Sequence, residues 1–254
     1  MSGPLPTGTE RRDRILLRLA NRWVPFYRRF PYHGPISITS FDPRGVAIRA
    51  CKVFYTRIPK AANSTVTAAL ARHATGANAP ETAKSVFPRP SRLSSATVAE
   101  LEREWFCFTV VRNPYARTLS AYLDKVVNRT AHTDLFYAWF RPARPRAPEF
   151  MDFLAYLEAG GLWHDMHWAP QHGILHLPLA RYDMIGRVER LDRDLPAILA
   201  RAFGTPVAEV GRYDDRPRTD ASRKIDTMLT PEARAILARL YAEDFATFGY
   251  DPGA

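Results

Sequence analysis

The sequence is short of acid, of cysteine and of long apolar runs. Its 254 residues carry 26 Asp and Glu against 36 Lys and Arg, a net charge of +10. Such an excess favours anionic partners, whether nucleotide, nucleic acid, sulfated or carboxylated glycan, or membrane, and does not choose among them. The excess is mostly arginine, whose planar fork suits phosphate and carboxylate, although scattered arginines also fit a solvated surface. The two cysteines, Cys51 and Cys107, fall in or beside predicted strands. They are expected to be small buried hydrophobes rather than a disulfide or a nucleophile. No apolar run approaches the roughly 18–20 residues of a membrane span. Arg11, Arg12, Arg14, Arg18 and Arg22 interrupt every apolar stretch near the N-terminus, which argues against a signal peptide. The expectation is a soluble, cytoplasmic protein. Residues 1–9, rich in Gly, Pro and Thr, read as a disordered tail, and 10–254 as a single domain.

What is present is an alternation of strands and helices. Ile15, Leu16, Leu19, Trp23 and Val24 recur at helical spacing, with Arg14, Arg18 and Arg22 on the other side. This helix over residues 13–24 either docks on its own domain or makes peripheral contact with a membrane surface. Short strands are predicted over 36–41 and 46–50 around the Asp42-Pro-Arg-Gly45 turn, and a stronger one from Lys52 to Arg57. A helix follows from Asn63 to His73, then a loop over 74–96. A short helix over Thr97–Arg103 has Thr97 as its expected N-cap and Glu100 at the capping-box position. Trp105–Val111 is continuously apolar, as in a buried parallel strand, and a helix is expected from Tyr115 to Val127. Residues 141–148 read as a stiff basic loop: a solvated linker, a lid or an acceptor-contacting edge. Further elements are a helix over 149–158, a strand over Met184–Val188, a helix over 191–203, and a helix opened by Thr230 and Pro231 whose apolar stripe runs to Phe245. The pattern implies an α/β fold: a three-layer, mainly parallel sheet flanked by helices.

Two segments repeat one design. Val53-Phe-Tyr-Thr-Arg-Ile-Pro-Lys-Ala-Ala-Asn-Ser-Thr65 and Phe108-Thr-Val-Val-Arg-Asn-Pro-Tyr-Ala-Arg-Thr-Leu-Ser120 each read as strand, polar turn and helix. Each turn carries a cation and hydroxyls where a strand ends, and open helix N–H groups there favour a phosphate. Two such turns on one sheet suggest a ligand with two separated phosphate groups, bound at the carboxyl ends of the strands. The first is not a nucleotide-triphosphatase P-loop, because it holds no glycine and its lysine precedes the loop.

Ile58-Pro-Lys-Ala-Ala-Asn-Ser-Thr65 resembles the 5′-phosphosulfate loop of sulfotransferases. Val111-Arg-Asn-Pro-Tyr-Ala-Arg-Thr-Leu-Ser120 resembles their 3′-phosphate motif, with Arg112 and Ser120 in matching places. The stretch through Lys125 is similar to the carbohydrate sulfotransferase branch of the chondroitin, dermatan and HNK-1 type. His167-Trp-x-Pro-Gln171, Tyr182-Asp-Met-Ile-Gly-Arg-Val-Glu189 and Leu240-Tyr-x-x-Asp-Phe-x-x-Phe-Gly-Tyr250 carry the resemblance further. It implies a P-loop-like sulfotransferase fold and the co-substrate 3′-phosphoadenosine 5′-phosphosulfate (PAPS), without a metal. It also implies a hydroxyl acceptor on a glycan and no nucleic-acid partner. By this resemblance Lys60 stabilises leaving-group charge, and Ala61, Ala62, Asn63, Ser64 and Thr65 surround the 5′-phosphate. Arg112 and Ser120 grip the 3′-phosphate. Animal members have a membrane anchor and paired cysteines, neither of which is evident here. The acceptor needs a general base, for which His167 is favoured and His172 is second, with Asp165 as a carboxylate alternative. Asp124 and Lys125 fit the branch pattern and read as a helix-surface ion pair.

The rival readings differ in class. A nucleotide-dependent phosphotransferase needs a glycine-rich loop and a metal-binding carboxylate. A metal-dependent hydrolase could use His164, His167, His172 and His176, although Pro170 interrupts any single helix carrying them. A basic glycan- or nucleic-acid-binding module without catalysis predicts steep salt dependence and no special role for Lys60.

Overall fold

The computed structural model describes residues 10–76, 86–129, 133–141, 146–204 and 227–253. The expected tail 1–9 and parts of the loops at 74–96 and 141–148 lie outside the described residues. The chain divides into two compact units. Described residues 10–111 and 175–204 form a sheet unit, and 112–174 and 227–253 a helical unit.

In the sheet unit, β1 (Gly45–Ile48), β2 (Val53–Thr56), β3 (Phe106–Val111) and β4 (Met184–Arg187) pair in that order. β1 runs antiparallel to β2, while β2–β3 and β3–β4 are parallel. Strand alternation assigns the two faces. Val53, Tyr55, Phe108 and Val110 pack with Val66, Leu70, Leu195 and Ile198, from helices α4 (Asn63–Thr75) and α9 (Leu191–Phe203). Phe54, on the other face, stacks on Phe26 at 5.5 Å. Phe26 lies in α2 (Pro25–Arg29), which packs against α1 (Glu10–Trp23), as does α3 (Ile38–Phe41). These are the three layers expected of an α/β sheet. α5 (Ser95–Glu104) leads into β3.

The helical unit has an aromatic core. Tyr115, Leu119, Phe136, Phe153, Trp168, Leu237 and Phe245 meet there. They come from α6 (Pro114–Ala121), α7 (Asp134–Phe140), α8 (Phe150–Glu158), α10 (Pro231–Leu240), α11 (Ala242–Phe248) and the loop after α8.

Several local expectations are corrected. Residues 38–41 are one helical turn, not a strand, with Ile38 and Phe41 buried at i, i+3. Residues 49–51 turn rather than extend β1. α5 starts earlier than expected: Ser94, not Thr97, is the cap, and its Oγ accepts from the Thr97 amide at 3.2 Å. The stripe from Ile236 to Phe245 is split, because Tyr241 leaves helical geometry between α10 and α11. The helix beyond Ala121 continues as a π-helical turn, Tyr122–Val127, with the Asn128 amide reaching back to the Leu123 carbonyl at 3.1 Å. Such turns are rare and recur near functional sites.

Candidate functional site

The first turn leaves the carboxyl end of β2, and that end is held from several sides. The Thr56 carbonyl accepts from Thr109 Oγ1 at 2.9 Å, and Thr56 Oγ1 lies 2.6 Å from the Tyr182 hydroxyl. Arg57 is buried beneath the turn. Its Nε donates to Asn63 Oδ1 at 2.9 Å and its Nη1 to the Pro43 carbonyl at 3.3 Å. Burial, with Arg44 nearby, draws its pKa down to about 10.

Above Arg57 the chain adopts an unusual path. Lys60 and Ala62 both have left-handed backbone, with φ of 65° and 54°. Non-glycine residues rarely do this, and such strain recurs at ligand sites. Successive left- and right-handed residues turn their N–H groups into one concavity, suited to an anion. Ala62 is the N-cap of α4 and makes no side-chain cap bond. Ala61 is fully buried, so the turn is packed from below. Asn63 Oδ1 accepts from both Arg57 and Thr67 Oγ1, which fixes the side chain at the start of α4. Lys60, Ser64 and Thr65 are half-buried around the same turn.

The second turn is built differently. The helix after β3 is already capped: Asn113 Oδ1 accepts from the Tyr115 amide at 2.9 Å and the Ala116 amide at 3.5 Å. Open helix amides, expected at both turns, are therefore a feature of the first. The second offers the side chains of half-buried Arg112 and of Ser120, which is 3% exposed on α6.

Arg112 is anchored through its main chain. Gln171 is fully buried; its Oε1 accepts from the Arg112 amide at 3.0 Å and its Nε2 donates to the Arg112 carbonyl at 2.8 Å. The Gln171 amide in turn donates to Asp244 Oδ2 at 2.7 Å, and Asp244 is fully buried in α11. Arg117 is a second buried tie. Its guanidinium donates to the Ala169 carbonyl at 2.7 Å and the Met166 carbonyl at 2.8 Å, holding the main chain on both sides of His167. Burial lowers the Arg117 pKa, opposed by nearby Tyr241 and Asp244.

The four histidines of the 164–176 stretch share no partner among the contacts described. His167 Nδ1 lies 2.5 Å from Asp165 Oδ1, which also accepts from the His167 amide at 2.7 Å. His172 has both ring nitrogens engaged, Nδ1 with Asp244 at 2.8 Å and Nε2 with Glu243 at 3.0 Å. Burial would depress its pKa, but the hydrogen bond and charge of Asp244, with the charge of Glu243, raise it overall. His164 Nδ1 meets the Tyr156 hydroxyl at 2.7 Å, and burial lowers its pKa. His176 stacks on Phe41 in the sheet unit, and burial pulls its pKa down to about 3. Among the described residues no three His, Cys, Asp or Glu side chains gather as a metal site. Asp124 and Lys125 pair at 3.5 Å in the π-helical turn. Cys51 and Cys107 are free thiols; burial raises the pKa of both, that of Cys107 to about 12.

Sequence reasoning missed Arg57, Arg117 and Asp244 as parts of the two turns. A signal existed for three of the supporting residues: Arg117, Gln171 and Asp244 all stand within the familial stretches.

A mixed sheet whose β2, β3 and β4 run parallel, with helices on its faces and a cationic turn at the carboxyl end of β2, belongs to the α/β class, in which ligands bind at the carboxyl ends of strands. The family is given by comparison: the sequence model of the Sulfotransferase family matches residues 46–251, and the chain belongs to that family. The chain is 27% identical over 192 residues to carbohydrate sulfotransferase 10 of Homo sapiens, covering 66% of this chain and 53% of that protein. It is 27% identical over 202 residues to the Xenopus laevis protein of the same name, covering 66% and 53%. It is 29% identical over 167 residues to carbohydrate sulfotransferase 14 of Danio rerio, covering 58% and 44%. The chain thus spans about half the length of these curated relatives. No solved structure shows a significant match. Among the described residues no helix is long and apolar enough to cross a membrane.

Proposed function

We propose that this chain, with residues 10–254 acting as one domain, is a sulfotransferase that moves the sulfuryl group of PAPS to a hydroxyl of a carbohydrate. The observation that carries this is the first turn: a lysine and an alanine held left-handed before a helix with no side-chain cap, in a chain of the Sulfotransferase family. The names of the relatives support a carbohydrate acceptor.

The residues present fit the donor. The uncapped amides of α4, with Ser64 and Thr65, suit the 5′-phosphate; Arg112 and Ser120 suit the 3′-phosphate. PAPS, when bound, supplies the sulfuryl group and a phosphate leaving group. Lys60 sets positive charge where the leaving oxygen becomes anionic, the kind of fixed charge stabilisation that dominates such transfers. The reaction balances with the acceptor oxygen bonding to sulfur as the sulfur–phosphate oxygen bond breaks, the acceptor proton passing to a base. His167 serves as that base through Nε2, because Asp165 holds Nδ1 and so fixes the tautomer. His172, engaged at both nitrogens, suits a structural ion pair better. No step calls for a metal.

Calorimetry with the desulfated product, 3′-phosphoadenosine 5′-phosphate, tests this with EDTA present and ATP as competitor. Binding that prefers this nucleotide to ATP and weakens in both Lys60→Ala and Arg112→Ala is expected. Affinity that follows only salt, and that heparin removes equally in all variants, would instead establish the basic binding module.

A further inference from the structure

Three of the seven large exposed apolar side chains among the described residues lie on one helix, α1. Ile15 and Leu19 are each 49% exposed and Trp23 is 67% exposed. At spacings of i, i+4 and i+8 they form one stripe along the helix. Arg14, Arg18 and Arg22 repeat at the same interval, all exposed, and form a cationic row beside it. The remaining side, with Leu16, Leu17 and Ala20, is half-buried. The Arg22 guanidinium lies 5.2 Å from the centre of the Trp23 ring, joining the two rows at the end of the helix.

The helix cannot roll to hide the stripe. Asn21 clamps it: its Nδ2 donates to the Tyr32 carbonyl at 2.8 Å, and its Oδ1 accepts from the Tyr32 amide at 3.2 Å. Packing against α2 and α3 sets the same orientation. An apolar stripe with Trp, next to an arginine row, is the chemistry of an interface between hydrocarbon and anionic headgroups. A protein partner would match the stripe alone; a soluble polyanion would match the arginines alone.

We infer that α1 docks the protein on an anionic lipid surface, with Ile15, Leu19 and Trp23 entering the acyl boundary and the arginine row on the headgroups. The helix lies in the interface and does not cross it.

Flotation of the full chain with phosphatidylcholine vesicles, with and without phosphatidylglycerol, tests this. The wild type should float with the anionic vesicles only. Loss of each arginine, as in Arg18→Gln and Arg22→Gln, should weaken partitioning about fivefold. The triple variant Ile15→Ser, Leu19→Ser, Trp23→Ser should lose at least about tenfold, with circular dichroism unchanged. Quenching of tryptophan fluorescence by brominated acyl chains should appear in the wild type and vanish in Trp23→Phe. The inference is overturned by equal flotation of the triple variant, which would mean adsorption by net charge. It is also overturned if no vesicle binds, or if the stripe variant only turns a dimer into a monomer, which would make a second copy the occupant. None of these readouts depends on sulfotransferase activity.

Discussion

Truncating Gln171 to alanine separates a donor-site role from a merely structural one. The side-chain amide makes a paired bond with the main chain of Arg112, accepting at 3.0 Å and donating at 2.8 Å. Removing it strips both groups of their partner in a part-buried setting, at up to about 1–3 kcal/mol each, less what an entering water recovers. A net loss of about 2–4 kcal/mol in unfolding free energy is expected, measured by urea titration. If the pair also aims the Arg112 side chain, binding of 3′-phosphoadenosine 5′-phosphate should separately weaken roughly 10- to 100-fold, about 1.4–2.8 kcal/mol of binding free energy. Gln171→Glu sharpens the test. It keeps the shape and the acceptor but sets a carboxylate against the Arg112 carbonyl and beside Asp244, which lies 3.4 Å from Nε2. It should therefore do worse than alanine. Lower stability with nucleotide affinity unchanged within about twofold would refute the reasoning, since a lost aiming bond must appear in binding.

Lys60→Ala should lower kcat by about 10²- to 10³-fold, more than it weakens nucleotide binding, because the charge it meets grows in the transition state; single-turnover kinetics read this. His167→Ala should cost about 10²- to 10⁴-fold in kcat while His172→Gln costs far less, by steady-state kinetics. The His172 pair also makes a stability prediction. Its folded pKa lies above the ordinary value of 6.5, so the pair contributes fully below that value and is lost as pH rises through the folded pKa. The stability difference between wild type and His172→Gln should thus shrink as pH is raised from about 6 to about 8, by urea unfolding at each pH.

The elements legible in the sequence were those whose signals are local. β2, β3 and α4 stand out because an apolar run, a proline turn and a helix start lie in one short window. Both strand–turn–helix segments stand out for the same reason. Ser94 was passed over because Thr97 is an equally good cap by type, and only the amide geometry chooses between them. The one-turn helix at Ile38–Phe41 is too short to show a period. Asn113 was read as part of a polar turn, although an Asx residue before proline at a helix start is itself a cap signal. The buried ties of Arg117 and Gln171 left no periodic trace, because each reaches main-chain groups far along the chain. Their residue types nevertheless stand in stretches that family resemblance had singled out.

Those ties set when the second turn can exist. Arg112 meets Gln171 across 59 residues of chain, and Gln171 meets Asp244 across another 73. Closing such loops costs entropy that local helices do not face, and non-local contacts form late. During refolding, helical signal should recover before affinity for the nucleotide does. Nucleotide binding then serves as a clock for the last step of assembly, and a chain halted short of α11 would hold its helices while its arginine still wanders.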